Sequence, residues 1–279
     1  MSLWYVIWDA MPFEMLHWDF MKNALLAILI IAPLFGLIST MIVSGRMSFF
    51  SDALGHSAFT GIAIGAIAGI AAPTYIAVIF AIVFALLFSF VRYKSNQAAD
   101  TLLGVFSSTA VALGIFIATF NGGSFTKYNK YLIGDILSVT PAEIGMLAIV
   151  LLAVIVFYLC CSNKLILSTI HPQLASSRGI PVGLTQTLFT TAIALIVTLA
   201  ISWVGLLILN SLLVLPAAVS RNVSKNLKQY HLISVLITLV AGIAGLIVSY
   251  MLGVSAGAAI SLVLAVFFAG SLLLKRRNG

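Results

Sequence analysis

Residues 24–43 read ALLAILIIAPLFGLISTMIV, twenty positions without one charged side chain, closed on the C-terminal side by Arg46. A helix needs about twenty apolar residues to cross the hydrocarbon core of a bilayer. A membrane β-barrel would instead show short segments of alternating polarity, and no such alternation occurs here. In lipid every backbone polar group must find its partner inside the segment, which a helix provides. Similar runs recur at 47–71, 74–91, 101–120, 141–161, 185–204, 205–219, 232–252 and 255–274. Two joins are weak: 185–219 has no clear loop and divides either at Gly205 or into one long span with a re-entrant piece, and 131–139 is too short to cross. The expectation is an all-α, polytopic transmembrane helix bundle of seven to nine spans.

Composition agrees. Of 279 residues, 62% are hydrophobic and 8% charged, against roughly a quarter charged in a soluble domain. The net charge of +7 is spread between the spans, so it marks orientation and not nucleic-acid binding. Arg46, Arg92, Lys94, Lys164, Arg178, Arg221, Lys225, Lys228, Lys275, Arg276 and Arg277 fall on one side of the drawn spans. Lys22, Lys127 and Lys130 fall on the other. The positive-inside rule places the first group, and the C-terminus, in the cytoplasm, as expected of a multi-pass protein of a bacterial inner membrane.

Three regions follow. Residues 1–23 carry Trp4, Trp8 and Trp18 with Asp9, Glu14 and Asp19, which suits an interfacial segment and not a signal peptide. Residues 24–274 form the transmembrane domain, and 275–279 a basic tail. The adjacent Cys160 and Cys161 suggest apolar packing and no disulfide framework. The chain has no phosphate-cradling Gly-x-x-x-x-Gly-Lys-Ser/Thr loop, so any ATP hydrolysis falls to another polypeptide.

Asp52 and His56, in SDALGHS (51–57), are the most informative pair. Spacing of i and i+4 puts both on one helix face. Ionisable groups inside a span are costly and usually face a cavity or a partner. A carboxylate with an imidazole suits a divalent ion such as Zn²⁺ or Mn²⁺. A structural ion pair between helices and a proton relay remain open alternatives. Gly61, Gly65 and Gly69 form a small-residue row on another face, expected to let a second helix approach closely. Between two spans, HPQLASSRGIPVG (171–183) predicts a short helix over about Pro172–Arg178, ended by Gly179. It is either a docking element or an ordinary connection. Pro216 is expected to bend its span, and Asn210 to bond across helices. Asp100, Asp135 and Glu143 read as interfacial or capping residues.

Four stretches in order resemble the permease subunits of zinc and manganese ABC uptake systems, the ABC-3 family. They are RMSFFSDALGHSA (46–58), DTLLGVFSS (100–108), HPQLASSRG (171–179) and SLLVLPAA (211–218). The likeness spans about residues 24–274. It implies a homodimer around a central path, with Asp52 and His56 on the metal route. It implies that His171, Pro172, Gln173, Leu174, Ala175, Ser176, Ser177, Arg178 and Gly179 couple the chain to a cytoplasmic ABC ATPase. It also implies an extracytoplasmic metal-binding protein and no permanently bound cofactor, the divalent metal being cargo. One departure stands out: where the family commonly has an acid and a proline, this chain reads YMLGVSAG (250–257).

The expected function is therefore import of zinc or manganese by a permease subunit that is not itself an enzyme. The alternative is a proton-coupled secondary transporter of a metal or another solute, in which Asp52 and His56 relay protons.

Overall fold

The computed structural model describes residues 4–5, 14–69, 73–95, 97–120 and 135–274. Among these residues it is entirely helical. After a 3₁₀ turn at Glu14–His17 the α-helices are α1 Asp19–Ser44, α2 Phe50–Ile67, α3 Pro73–Lys94 and α4 Ala99–Thr119. A second 3₁₀ turn, Ile136–Ser138, precedes α5 Pro141–Ile170, α6 Pro172–Ser177, α7 Val182–Val204, α8 Leu206–Val223, α9 Leu227–Leu252 and α10 Ala256–Leu274.

Eight of these helices are long and apolar enough to cross a membrane: all except α2 and α6. The ambiguous stretch 185–219 resolves into two helices meeting at Gly205, whose φ of 93° suits a residue without a β-carbon. α5 runs nine residues beyond the expected end of its span. Its 30 residues extend about 45 Å at 1.5 Å each, more than the roughly 30 Å of hydrocarbon. Of the stretch 131–139, residues 131–134 lie outside the described residues, as do the loop 121–130 and the tail 275–279. The remainder is the 3₁₀ turn.

The chain forms two compact units. The first comprises Met1–Thr40, Gly134–Val156 and Trp203–Gly279. Its apolar spans hold many small and hydroxylated residues, and the packing explains them. A β-carbon placed on Gly36 would lie 2.7 Å from Val235 Cα, and one on Gly242 would lie 2.6 Å from Ile28 Cγ2. Such close approach lets the neighbouring hydroxyls meet. Ser39 Oγ and Ser234 Oγ are 3.0 Å apart, and Ser234 donates to the Gly36 carbonyl at 2.8 Å. Thr40 Oγ1 lies 2.7 Å from His231 Nδ1. Ser211 donates to Ser261 at 2.7 Å and Asn222 to Ser271 at 2.8 Å. Helices in lipid are held by tight packing and such cross-links, since hydrocarbon gives no hydrophobic drive for association.

The second unit comprises Met41–Ile133 and Phe157–Ser202. Here α2 is wrapped by α3 and α4. Gly61 lies directly against the backbone of Ala77. A β-carbon on Gly114 would lie 2.7 Å from both Phe59 and Thr60, and Thr60 donates to the Ala110 carbonyl at 2.6 Å. Phe50, Phe88, Phe106 and Phe84 stack in sequence with centroid spacings of 5.5, 5.6 and 5.4 Å.

Two expectations are corrected. Gly69 is not part of a packing row: α2 ends at Ile67, and Gly69 sits in the following turn at φ 69° with open space where its side chain would be. Cys160 is exposed on α5 and so does not pack in a core.

Candidate functional site

α2 begins directly after a sharp turn. Arg46 adopts a left-handed φ of 53°. The Met47 N–H bonds back to the Ile42 carbonyl at 3.0 Å, and the Arg46 N–H to Val43 at 3.2 Å. This is the paired closure of a Schellman cap, with arginine in the position usually held by glycine. The Phe50 N–H then bonds to the Met47 carbonyl and opens α2. Asp52 falls in the first turn, where the helix dipole favours a negative charge.

The opening turns of α2 are closely covered. Phe50, Ser51, Ala53, Leu54, Ser57, Ala58, Phe59 and Thr60 are all at most 3% exposed. Between them the Asp52 and His56 side chains retain 47% and 35% of their accessibility, with Asp52 Oδ2 3.6 Å from His56 Nε2. The spacing that suggested one face is therefore realised, and the face is open. The pair is too exposed to serve as a buried lock between α2 and its neighbours in this unit. It offers one carboxylate and one imidazole in mutual reach. Among the described residues no group of three or more His, Cys, Asp or Glu side chains converges. A cation here takes its remaining ligands from water, backbone or another chain.

Two of the remaining acids have local partners. Asp135 accepts from the Leu137 N–H at 3.0 Å and closes the 3₁₀ turn. Glu143 accepts from the N–H and hydroxyl of Thr140, both at 2.8 Å, as the reciprocal half of a capping box that starts α5. At Gly253 a left-handed turn of φ 64° joins α9 to α10.

The segment 171–183 forms α6. Pro172 takes the first helical position, where its missing N–H costs nothing. Gly179, at φ 72°, closes the other end: its N–H bonds to Ser176 and that of Ile180 to Ala175, each at 3.0 Å. Ala175 is fully buried and fixes α6 in its unit, while Leu174 is 44% exposed. α6, a helix only six residues long, thus presents Leu174 outward.

Sequence reading missed two features. The Thr40–His231 link joins α1 and α9, and neither residue signals its partner when read alone. The left-handed backbone of Arg46 was also unforeseen, because the glycine of the turn, Gly45, stands one residue before the left-handed position.

The ABC 3 transport family model matches residues 17–275 of the chain. The uncharacterized membrane protein slr2045 of Synechocystis is 31% identical over 94% of this chain and 93% of its own length. The manganese transport system membrane protein MntC of Halalkalibacterium halodurans is 28% identical over 95% of this chain and 91% of its own. Among solved structures, PsaBC from Streptococcus pneumoniae in complex with Fab superimposes with a TM-score of 0.78 at 25% identity, covering 98% of this chain and 95% of that one.

Proposed function

The chain belongs to the ABC 3 transport family, and on that premise we propose that it is the membrane-spanning permease of an ABC importer carrying a divalent metal ion, zinc or manganese, into the cytoplasm. Family membership favours this over a proton-coupled carrier. Manganese is the first cargo to test, because relatives such as MntC carry that metal in their names.

The observation that carries the reading is the accessible Asp52–His56 pair on an otherwise covered helix. Two donors from one chain hold an ion weakly. Two copies of the chain facing one axis would supply four, enough to replace part of the hydration shell and still release the ion. The chemistry needs no resident cofactor. Metal delivery falls to an extracytoplasmic binding protein and ATP hydrolysis to a cytoplasmic ATPase. The exposed edge of α6, around Leu174, is the contact through which the ATPase would move the spans.

Charge placement supports nine crossings with the C-terminus in the cytoplasm. α2 has 18 residues, about 27 Å, just short of the hydrocarbon thickness, and polar side chains lower its hydropathy. If α2 crosses, Arg46, Arg92, Lys94, Lys164, Arg178, Arg221, Lys225 and Lys228 all fall on one side of the membrane, opposite Lys22. If α2 does not cross, Arg46 and Arg92 fall on opposite sides, against the positive-inside rule.

The test is uptake of manganese and of zinc in cells lacking other importers. Asp52→Ala with His56→Ala abolishes uptake of the cargo metal, as does deletion of the partner ATPase. Full uptake by the double variant removes the site assignment, and uptake without any ATPase removes the ABC reading.

A further inference from the structure

Within the second unit, the C-terminal end of α3, one side of α6 and the start of α7 border a cleft of about 1020 Å³. One part of its wall is polar, with Arg92, Gln173 and Ser176. Another part is apolar: Leu86, Phe90 and Leu184 line it and are each between 46% and 60% exposed, so the wall continues onto the outer surface of two spans. On one flank Tyr93 closes against Gly183, whose added β-carbon would lie 3.4 Å from the ring.

Two features of the polar end call for an anion. Arg92 is half-buried, has no carboxylate within 4 Å among the described residues although Asp100 acts on its charge from farther away, and directs Nη1 at the Met47 thioether sulfur at 3.2 Å. A thioether is a weak acceptor, and most of the five guanidinium donors remain for another group. The start of α7 borders the same cleft, with Val182, Gly183 and Leu184 in its wall. A helix start carries unsatisfied donors and a positive dipole end. Leu86 lies six residues before Arg92, about 9 Å deeper along α3. A charged group and an apolar wall are thus stacked along the membrane normal, at the end of the spans where the basic residues gather.

We propose that this cleft binds an anionic phospholipid, its phosphate on Arg92 and the start of α7 and its acyl chains along Leu86, Phe90 and Leu184. A soluble anion would leave the apolar wall unused. A zwitterionic lipid would leave part of the positive field uncompensated. The lipid would sit against α6 and hold its angle to α3. The inference rests on the chain being embedded in a membrane and not on what it transports.

Native mass spectrometry of the full chain in mild detergent tests this, with phosphatidylglycerol and phosphatidylcholine of identical acyl chains offered in equal amounts. The wild type retains phosphatidylglycerol preferentially. Arg92→Gln lowers that retention about tenfold, the scale of losing one charge-assisted phosphate contact. Ser176→Trp, which fills the cleft and leaves the charge in place, lowers retention of both lipids. Lys228→Gln, an exposed cation outside the cleft, retains lipid as the wild type does. Equal retention of the two lipids by the wild type, or equal effects of Arg92→Gln and Lys228→Gln, overturns the proposal. So does loss of ATPase co-purification in Arg92→Gln with lipid retention unchanged, which assigns the cleft to the protein partner.

Discussion

His56 Nε2 stands 3.6 Å from Asp52 Oδ2, one turn apart on α2, and these two side chains remain open where their immediate neighbours on the helix are covered. An ion pair this exposed contributes at most about 1 kcal/mol to folding. Asp52→Asn and His56→Ala should therefore leave the thermal midpoint of the purified chain within a few degrees of wild type while uptake falls to background. A large drop in midpoint for either variant would return the pair to a structural role.

Gly61 and Gly69 separate two meanings of glycine. Any β-carbon at 61 collides with the Ala77 backbone, which cannot yield as a side chain would. Gly61→Ala should lower stability by about 1–3 kcal/mol, the cost of overpacking. Gly69→Ala meets open space and bears only the left-handed backbone penalty of roughly 1 kcal/mol. Thermal denaturation of the two variants side by side reads the difference, and equal losses would contradict the packing described.

The cap at Arg46 gives a prediction of opposite sign for two substitutions. Arg46→Gly relieves the left-handed strain and is expected to leave stability unchanged or raise it by up to about 1 kcal/mol. Arg46→Val, with a branched β-carbon at φ 53°, should lose about 1–2 kcal/mol. Unfolding midpoints of both variants check the ordering.

Ser39 and Ser234 bridge α1 and α9 and share the Gly36 carbonyl. A double-mutant cycle with Ser39→Ala and Ser234→Ala should return a coupling of about 0.6 kcal/mol, the usual size for a hydrogen bond between membrane helices. Strict additivity would mean the two hydroxyls do not act on one another.

Leu174 projects from α6 beside the fully buried Ala175. Leu174→Asp should leave the chain folded and monodisperse yet remove its ability to retain the ATPase subunit in pull-down, with transport lost in parallel. Retention of the ATPase would shift the proposed contact elsewhere.

The spans were legible because uninterrupted apolar length is a one-dimensional property, and 24–43 declares itself without a partner. α6 was legible for a similar reason, since Pro172 and Gly179 are local start and stop signals. The Asp52–His56 face followed from helical spacing. What could not be read was whether the pair is open or covered, because that depends on how α3 and α4 wrap α2. Gly69 was misread because a small residue at the right interval looks the same inside a helix and just past its end. The Thr40–His231 link and the contact of Arg92 with the Met47 sulfur arise only when distant segments meet, so no local pattern announces them.

The joint at Gly205 has a practical corollary for anyone mapping the chain's topology. Two long hydrophobic rods meet there at a single residue, leaving no loop to carry a reporter enzyme, a glycan acceptor or an epitope. On that side, tags belong between Gly253 and Ala256, where several residues separate the rods.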